Sequence, residues 1–282
     1  MNPQTTHQAD NPRNQDGIGE KELLVVSFGT SYLNSCRLTI GAIEDALEKA
    51  FPGYDLRRSF TSQMIINHLK RRDGISIDNV TQALDRAVSN GVKNLVIQPT
   101  HIMDGFEYQK LVTVANRYQD AFLSLSIGTP LLTSDEDFQI VADALAASVA
   151  AYDDEKTAIC FMGHGTEAAS NEVYARMQKL LWDSGWAHYF IGTMEAAPTA
   201  EDILAMVKTG NYSRVLLQPM MIVAGGHVNH HMAGEGSDSW KHIFESAGYE
   251  VVCQVRGLGE LEAVRNLLVK HAQAAMEGLK KP

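Results

Sequence analysis

Leu95–Glu107 reads LVIQPTHIMDGFE, and Val215–His227 reads VLLQPMMIVAGGH. Each is a short run of Val, Ile and Leu that stops at a Gln-Pro pair, Gln98-Pro99 in the first and Gln218-Pro219 in the second. An unbroken apolar run of this length is how a strand covered on both faces of a parallel sheet reads. Proline has no N–H to give to the ladder and therefore ends it. Because the same stretch occurs twice, the chain is expected to be built twice.

The repetition extends outward from these stretches. LLVVSFGTS at Leu23–Ser31 matches AICFMGHGT at Ala158–Thr166. In the first half the candidate strands are Leu23–Phe28, Tyr54–Phe60, Asn94–Gln98 and Leu123–Ile127. In the second they are Ala158–Met162, His188–Gly192, Arg214–Gln218 and Glu250–Val255. Helical periodicity fills the gaps at Ser35–Ala50, Asp78–Asn90, Asp135–Ala151, Asn171–Ser184 and Gly259–Met276. The expected fold class is α/β, with two similar doubly wound lobes, each a parallel sheet of about four strands flanked by helices. Residues 1–20 carry almost nothing to bury and read as a disordered tail. Residues 21–134 then form the first lobe and 135–282 the second, although a helix can cross between such lobes.

Composition narrows the function classes. A chain of 282 residues with 45% apolar and 21% charged residues is long enough for two buried cores. Its net charge of −10 lacks the basic field that a nucleic-acid surface needs. No apolar run approaches a membrane span, and no secretory signal is visible, so the cytoplasm is the expected compartment. Cys36, Cys160 and Cys253 are odd in number and far apart, which fits neither a disulfide framework nor a CxxC clip. Oligomeric state leaves no signature here, and a homo-oligomer stays open.

In open α/β sheets, ligands bind beyond the carboxyl ends of the strands. That rule selects three side chains of the second half: His164 in Gly163-His164-Gly165, Glu195 in Thr193-Met194-Glu195, and His227 after Gly225-Gly226. Two imidazoles and a carboxylate leaving three successive strands at one edge suit a borderline divalent metal ion, with coordination positions left open. The bland alternative is a polar residue satisfied at each strand end. The first half acts as an internal control: Phe28 stands where His164 stands, Thr61–Ser62 approximates to Glu195, and Glu107 aligns with His227. The fold itself therefore does not require the histidines. Glu107 should face the cleft from the opposite lobe, to accept protons, steer a cation or form a rim salt bridge. His101 aligns with Met221 and reads as a pocket-lining residue. The segment HVNHHMAGE holds His227, His230 and His231 and is either a second metal-loading patch or a solvated lid, with Gly225, Gly226, Gly234 and Gly236 supplying mobility.

At these residues the sequence resembles the anaerobic cobalt chelatases of cobalamin biosynthesis, the CbiK type. The motifs are VVSFGTS, QPTHIMDGFEY, FMGHGTE, GTMEAAPT and LQPMMIVAGGHVNHHMAGE. The resemblance covers the chain after the tail and implies a class II, ferrochelatase-like chelatase with its active site between the lobes. It implies that His164, Glu195 and His227 bind cobalt(II), and that the tetrapyrrole is sirohydrochlorin or its reduced precursor, metallated without ATP. Cobalt(II) then enters as a substrate metal, and no organic cofactor is expected. His164 or Glu195 would act as catalytic proton acceptor. Phe28, Gly29, Thr30, His101 and Glu107 would bind the tetrapyrrole. Its carboxylates would be received by backbone N–H groups of Gly29-Thr30-Ser31 and Gly165-Thr166, with Arg37, Arg57 and Arg58 as possible cationic partners. A metallochaperone or tetrapyrrole carrier using the same cleft is the alternative, and a sugar- or amino-acid-binding protein of two α/β lobes is a third reading.

Overall fold

The computed structural model describes residues 11–279. In chain order the first half runs β1 (Lys21–Ser27), α1 (Leu33–Cys36), a π turn at Arg37–Gly41, α2 (Ala42–Ala50), β2 (Asp55–Phe60), α3 (Gln63–Asp73), β3 (Asp78–Asn79), α4 (Val80–Ser89), β4 (Asn94–Pro99), α5 (Phe106–Asn116) and β5 (Ser124–Ile127). The second half runs α6 (Asp135–Val149), β6 (Thr157–Gly163), α7 (Glu172–Asp183), β7 (Tyr189–Thr193), α8 (Ala200–Val207), β8 (Arg214–Pro219), a π turn at Val228–Met232, α9 (Trp240–Ser246), β9 (Glu250–Cys253) and α10 (Glu262–Gly278). The strands form two parallel sheets, β3-β2-β1-β4-β5 and β7-β6-β8-β9. In each, the strand that opens the half, β1 or β6, lies in the interior of its sheet. Helices cover both of its faces, so β1 is buried from Glu22 to Ser27 and β6 at every residue.

The duplication is exact at the level of register. Val26 pairs with Pro99 as Met162 pairs with Pro219, and Ser27 pairs with Phe60 as Gly163 pairs with Thr193. The backbone beyond the strands repeats as well. Leu131 N–H donates to the His101 carbonyl just as Leu258 N–H donates to that of Met221, both at 2.8 Å. The second sheet has the expected four strands. The first gains a fifth, β3, which carries no apolar signal; Asn79 at its end also caps α4 in a reciprocal box with Gln82.

Two expectations about the ends of the lobes are corrected. Residues 11–20 are not a loose tail, whereas residues 1–10 of that segment lie outside the described residues. Arg13 is buried and reaches Glu44, Asp45 and Glu48 at 3.2, 2.5 and 3.1 Å, and its carbonyl accepts from Arg58 N–H. The segment is held by ion pairs and backbone bonds, which a search for apolar burial does not see. At the other end, α10 follows the second lobe in sequence but packs on α2, β4 and β5 of the first, while α6 lies against the second sheet. One apolar core thus runs through both lobes, and His271 Nε2 of α10 meets Asp137 Oδ1 of α6 at 3.1 Å.

Arg57 and Arg58 are corrected too, being neither surface residues nor cleft residues. Both sit in the core, Arg57 on Glu22 and the Ala83 carbonyl, and Arg58 on both carboxylate oxygens of Glu44. Burial pushes the Glu22 carboxyl up to about 7, against the pull of Arg57. Cys36 and Cys160 are buried and Cys253 is partly buried. Among the described residues no helix is long and apolar enough to cross a membrane.

Candidate metal and tetrapyrrole site

The carboxyl ends of the two sheets open onto a shared cleft of about 880 Å³, a size suited to a large organic ligand. All eight residues expected at the site line it: Phe28, Gly29, Thr30, His101 and Glu107 from the first lobe, and His164, Glu195 and His227 from the second.

The second-lobe wall is built by tight turns. Gly165 has φ +85, and a Cβ there would meet Thr193 Oγ1 at 2.6 Å and the Ala196 nitrogen at 2.8 Å. Only glycine lets the β6 exit pass so close to the turn after β7. The contact is fastened by Glu195 N–H donating to the His164 carbonyl at 2.9 Å. Gly29, with φ +100, makes the same passage in the first lobe against Phe60, and Ser62 N–H donates to the Phe28 carbonyl. Ser62 is therefore the structural counterpart of Glu195. There it caps α3, accepting from Ile65 N–H.

His164 Nδ1 lies 3.0 Å from the Gly165 carbonyl and 3.5 Å from Glu195 Oε2. With a proton on Nδ1, Nε2 keeps a free lone pair, which is how metal-binding imidazoles are usually oriented. The His164 and His227 rings meet edge to face with centroids 5.0 Å apart, and His227 stacks on His231 at 5.8 Å. Burial holds the His227 imidazole below its ordinary pKa, reinforced by His164 and His231 and opposed by Glu195. A neutral ring at neutral pH is what a ligand requires. The three residues are neighbours, yet no three His, Cys, Asp or Glu side chains among the described residues already stand in ligating geometry. Glu195 lies on the Nδ1 side of His164, so closing on a metal needs a side-chain rotation.

The HVNHHM segment, read from sequence as a lid or a second metal-loading patch, is anchored at two points. Val228 and Met232 are buried anchors of its π turn, and Gly225, Gly226, Gly234 and Gly236 all avoid positive φ. Their smallness serves close approach instead: a Cβ on Gly225 would meet Thr30 Oγ1 at 2.9 Å, and one on Gly234 would meet the His230 carbonyl at 2.2 Å. His230 Nε2 lies 3.3 Å from Tyr32 Oη, joining the lobes across the cleft mouth.

The sequence reading missed the apolar wall. Met64 and Phe106 line the cleft yet are 75% and 68% exposed, and with half-exposed Phe28 they present a face that a flat macrocycle would cover. Their signal was position, since each stands just past a strand end. Among the described residues no Arg or Lys lines the cleft. Arg37 instead donates to Asn34 on the exposed side of its turn.

Comparison with known proteins places the chain as a whole. The family described as cobalt chelatase (CbiK) matches residues 21–277. A sirohydrochlorin cobaltochelatase from Salmonella typhimurium is 36% identical, over 91% of this chain and 97% of that protein. The sirohydrochlorin cobaltochelatase CbiKC of Nitratidesulfovibrio vulgaris is 30% identical, over 95% of each. Among solved structures, SirB from Bacillus subtilis with Fe3+ shares the fold at a TM-score of 0.63 and 13% identity, over 92% of this chain and 98% of that one.

Proposed function

The chain belongs to the cobalt chelatase (CbiK) family, and on that premise we propose that it inserts cobalt(II) into sirohydrochlorin without ATP, holding the metal with His164, Glu195 and His227. The observation that carries the residue assignment is the contrast between two lobes of matching strand register. At equivalent strand exits the second lobe has His164, Glu195 and His227, and the first has Phe28, Ser62 and Glu107. The fold tolerates either set, so the ligating set serves chemistry.

Metallation exchanges two pyrrole N–H protons for one divalent ion, so the protein must bind the ion loosely and provide a proton acceptor. Two imidazoles and one carboxylate leave coordination positions that ring nitrogens can take over. His164 and His227 present cobalt(II) from the second-lobe wall, and Glu195 completes the set. As the ring nitrogens displace these ligands, His164 or Glu195 accepts a proton. Phe28, together with Met64 and Phe106, covers the face of the macrocycle. Among the described residues no Arg or Lys lines the cleft, which leaves the ring carboxylates to backbone N–H groups around Gly29-Thr30 and to solvent, because the N–H groups of Gly165 and Thr166 already donate to Tyr174 Oη and Asn171 Oδ1.

The reading is tested by adding cobalt(II) to anaerobic sirohydrochlorin with and without the purified protein, no nucleotide present. Faster appearance of the cobalt-sirohydrochlorin absorbance is expected. A rate equal to that of metal and tetrapyrrole alone would leave only a carrier.

A further inference from the structure

His101 and Glu107 stand in the first-lobe wall of the cleft with polar atoms that nothing among the described residues satisfies. Both ring nitrogens of His101 and Oε2 of Glu107 are out of solvent and have no hydrogen-bond partner. Leaving such groups unpaired costs stability, so each asks for an explanation. The fold does not supply one for His101. Its carbonyl accepts from Leu131 N–H, but the mirrored position in the second lobe makes the same bond with Met221, a buried apolar residue. The ring is therefore dispensable to the architecture. It faces the cleft across from the proposed metal ligands.

We infer that His101, backed by Glu107, is the base that removes one of the two pyrrole protons from the wall opposite the metal. This rests on the chelatase reading and deepens it, since two protons must leave and the second-lobe residues accept one. A pyrrole N–H bond breaks, and its electron pair stays on nitrogen and is donated to cobalt(II). The proton bonds to the unprotonated nitrogen of the His101 ring. The imidazolium, stabilised by the charge of Glu107, then releases the proton on its other nitrogen to water in the cleft. One divalent ion enters and two protons leave, so charge balances without any co-reactant. Burial holds His101 down to about 4, opposed by the charge of Glu107. At neutral pH the ring is thus an empty acceptor that does not retain the proton it takes.

The test uses the full chain and two substitutions. His101→Met installs the residue that the second lobe already carries in this place, and so preserves packing. His101→Ala leaves a cavity that added imidazole can enter. Sirohydrochlorin binding is followed without metal by absorbance titration, and cobalt insertion by initial rates. We expect both variants still to bind sirohydrochlorin and to lose about 100-fold or more in kcat, the ordinary contribution of a positioned base. Imidazole should restore rate to His101→Ala only, since Met fills the space. Wild-type kcat in His101→Met, or a His101→Ala variant that imidazole leaves inactive, overturns the inference. An inactive wild type would instead remove the chelatase reading, and this inference with it.

Discussion

Gly165→Ala is the substitution for which the structure gives both a mechanism and a magnitude. Two costs are present. At φ +85 the backbone is in the left-handed region, which costs an L-residue about 1–2 kcal/mol. The new Cβ would also stand 2.6 Å from Thr193 Oγ1 and 2.8 Å from the Ala196 nitrogen, and forcing such a contact costs about 1–3 kcal/mol. Gly185 isolates the first cost, having φ +93 and nothing within 4 Å of an added Cβ. Gly185→Ala should therefore lose about 1–2 kcal/mol, and Gly165→Ala about 2–5 kcal/mol. Urea unfolding of the two variants and the wild type measures the difference. Thr193 and Ala196 flank Glu195, so relief of the contact also moves that carboxylate away from His164, and turnover should fall in the Gly165 variant alone. Equal stability losses in the two variants would refute the steric reasoning, and an undiminished turnover would refute the link from this turn to the site.

Other outcomes follow from the same structure. His164→Ala and His227→Ala should each lower turnover about 100-fold or more while leaving stability nearly unchanged, since His164 is half-exposed and neither ring is a core residue; thermal melts and cobalt-insertion rates check both. Phe106→Ala should weaken sirohydrochlorin binding about 10-fold by removing apolar cover of about 1.5 kcal/mol, with no loss of stability, as read by titration without metal. Arg57→Leu should destabilise by about 3–5 kcal/mol, because it strands the buried Glu22 carboxylate; urea unfolding reads this directly. Glu22 itself predicts a pH dependence. Its folded pKa, about 7, lies above the unfolded value of 4.5, so the folded state binds the proton more tightly. That contribution is fully present below pH 4.5 and is lost as pH rises to 7, and Glu22→Gln should flatten this part of the stability profile.

The strands and the cleft lining were legible for one reason: a buried parallel strand is mostly apolar, and clefts open where such strands end. LVIQP and VLLQP show both properties in a handful of letters, and their repetition supplied the internal control that singled out His164, Glu195 and His227. What was illegible depends on long-range polar contacts. Arg57 and Arg58 look like surface cations until Glu22 and Glu44 are seen to lie against them. Arg13 looks like part of a tail until α2 presents three carboxylates to it. The glycines around His227 look like a hinge, and the sequence does not show that Gly225 and Gly234 make room for Thr30 and the His230 carbonyl. The return of α10 to the first sheet leaves no local trace, because its apolar face would fit either lobe.

Cobalt held by the second lobe is the central claim, and anomalous diffraction at the cobalt edge from crystals soaked in cobalt(II) tests it most directly. The account predicts a peak at bonding distance, about 2.0–2.2 Å as in related divalent sites, from a His164 nitrogen, a His227 nitrogen and a Glu195 oxygen, with Glu195 rotated to reach it. A peak only at His230 and His231, or on the first-lobe wall at Glu107, would contradict it.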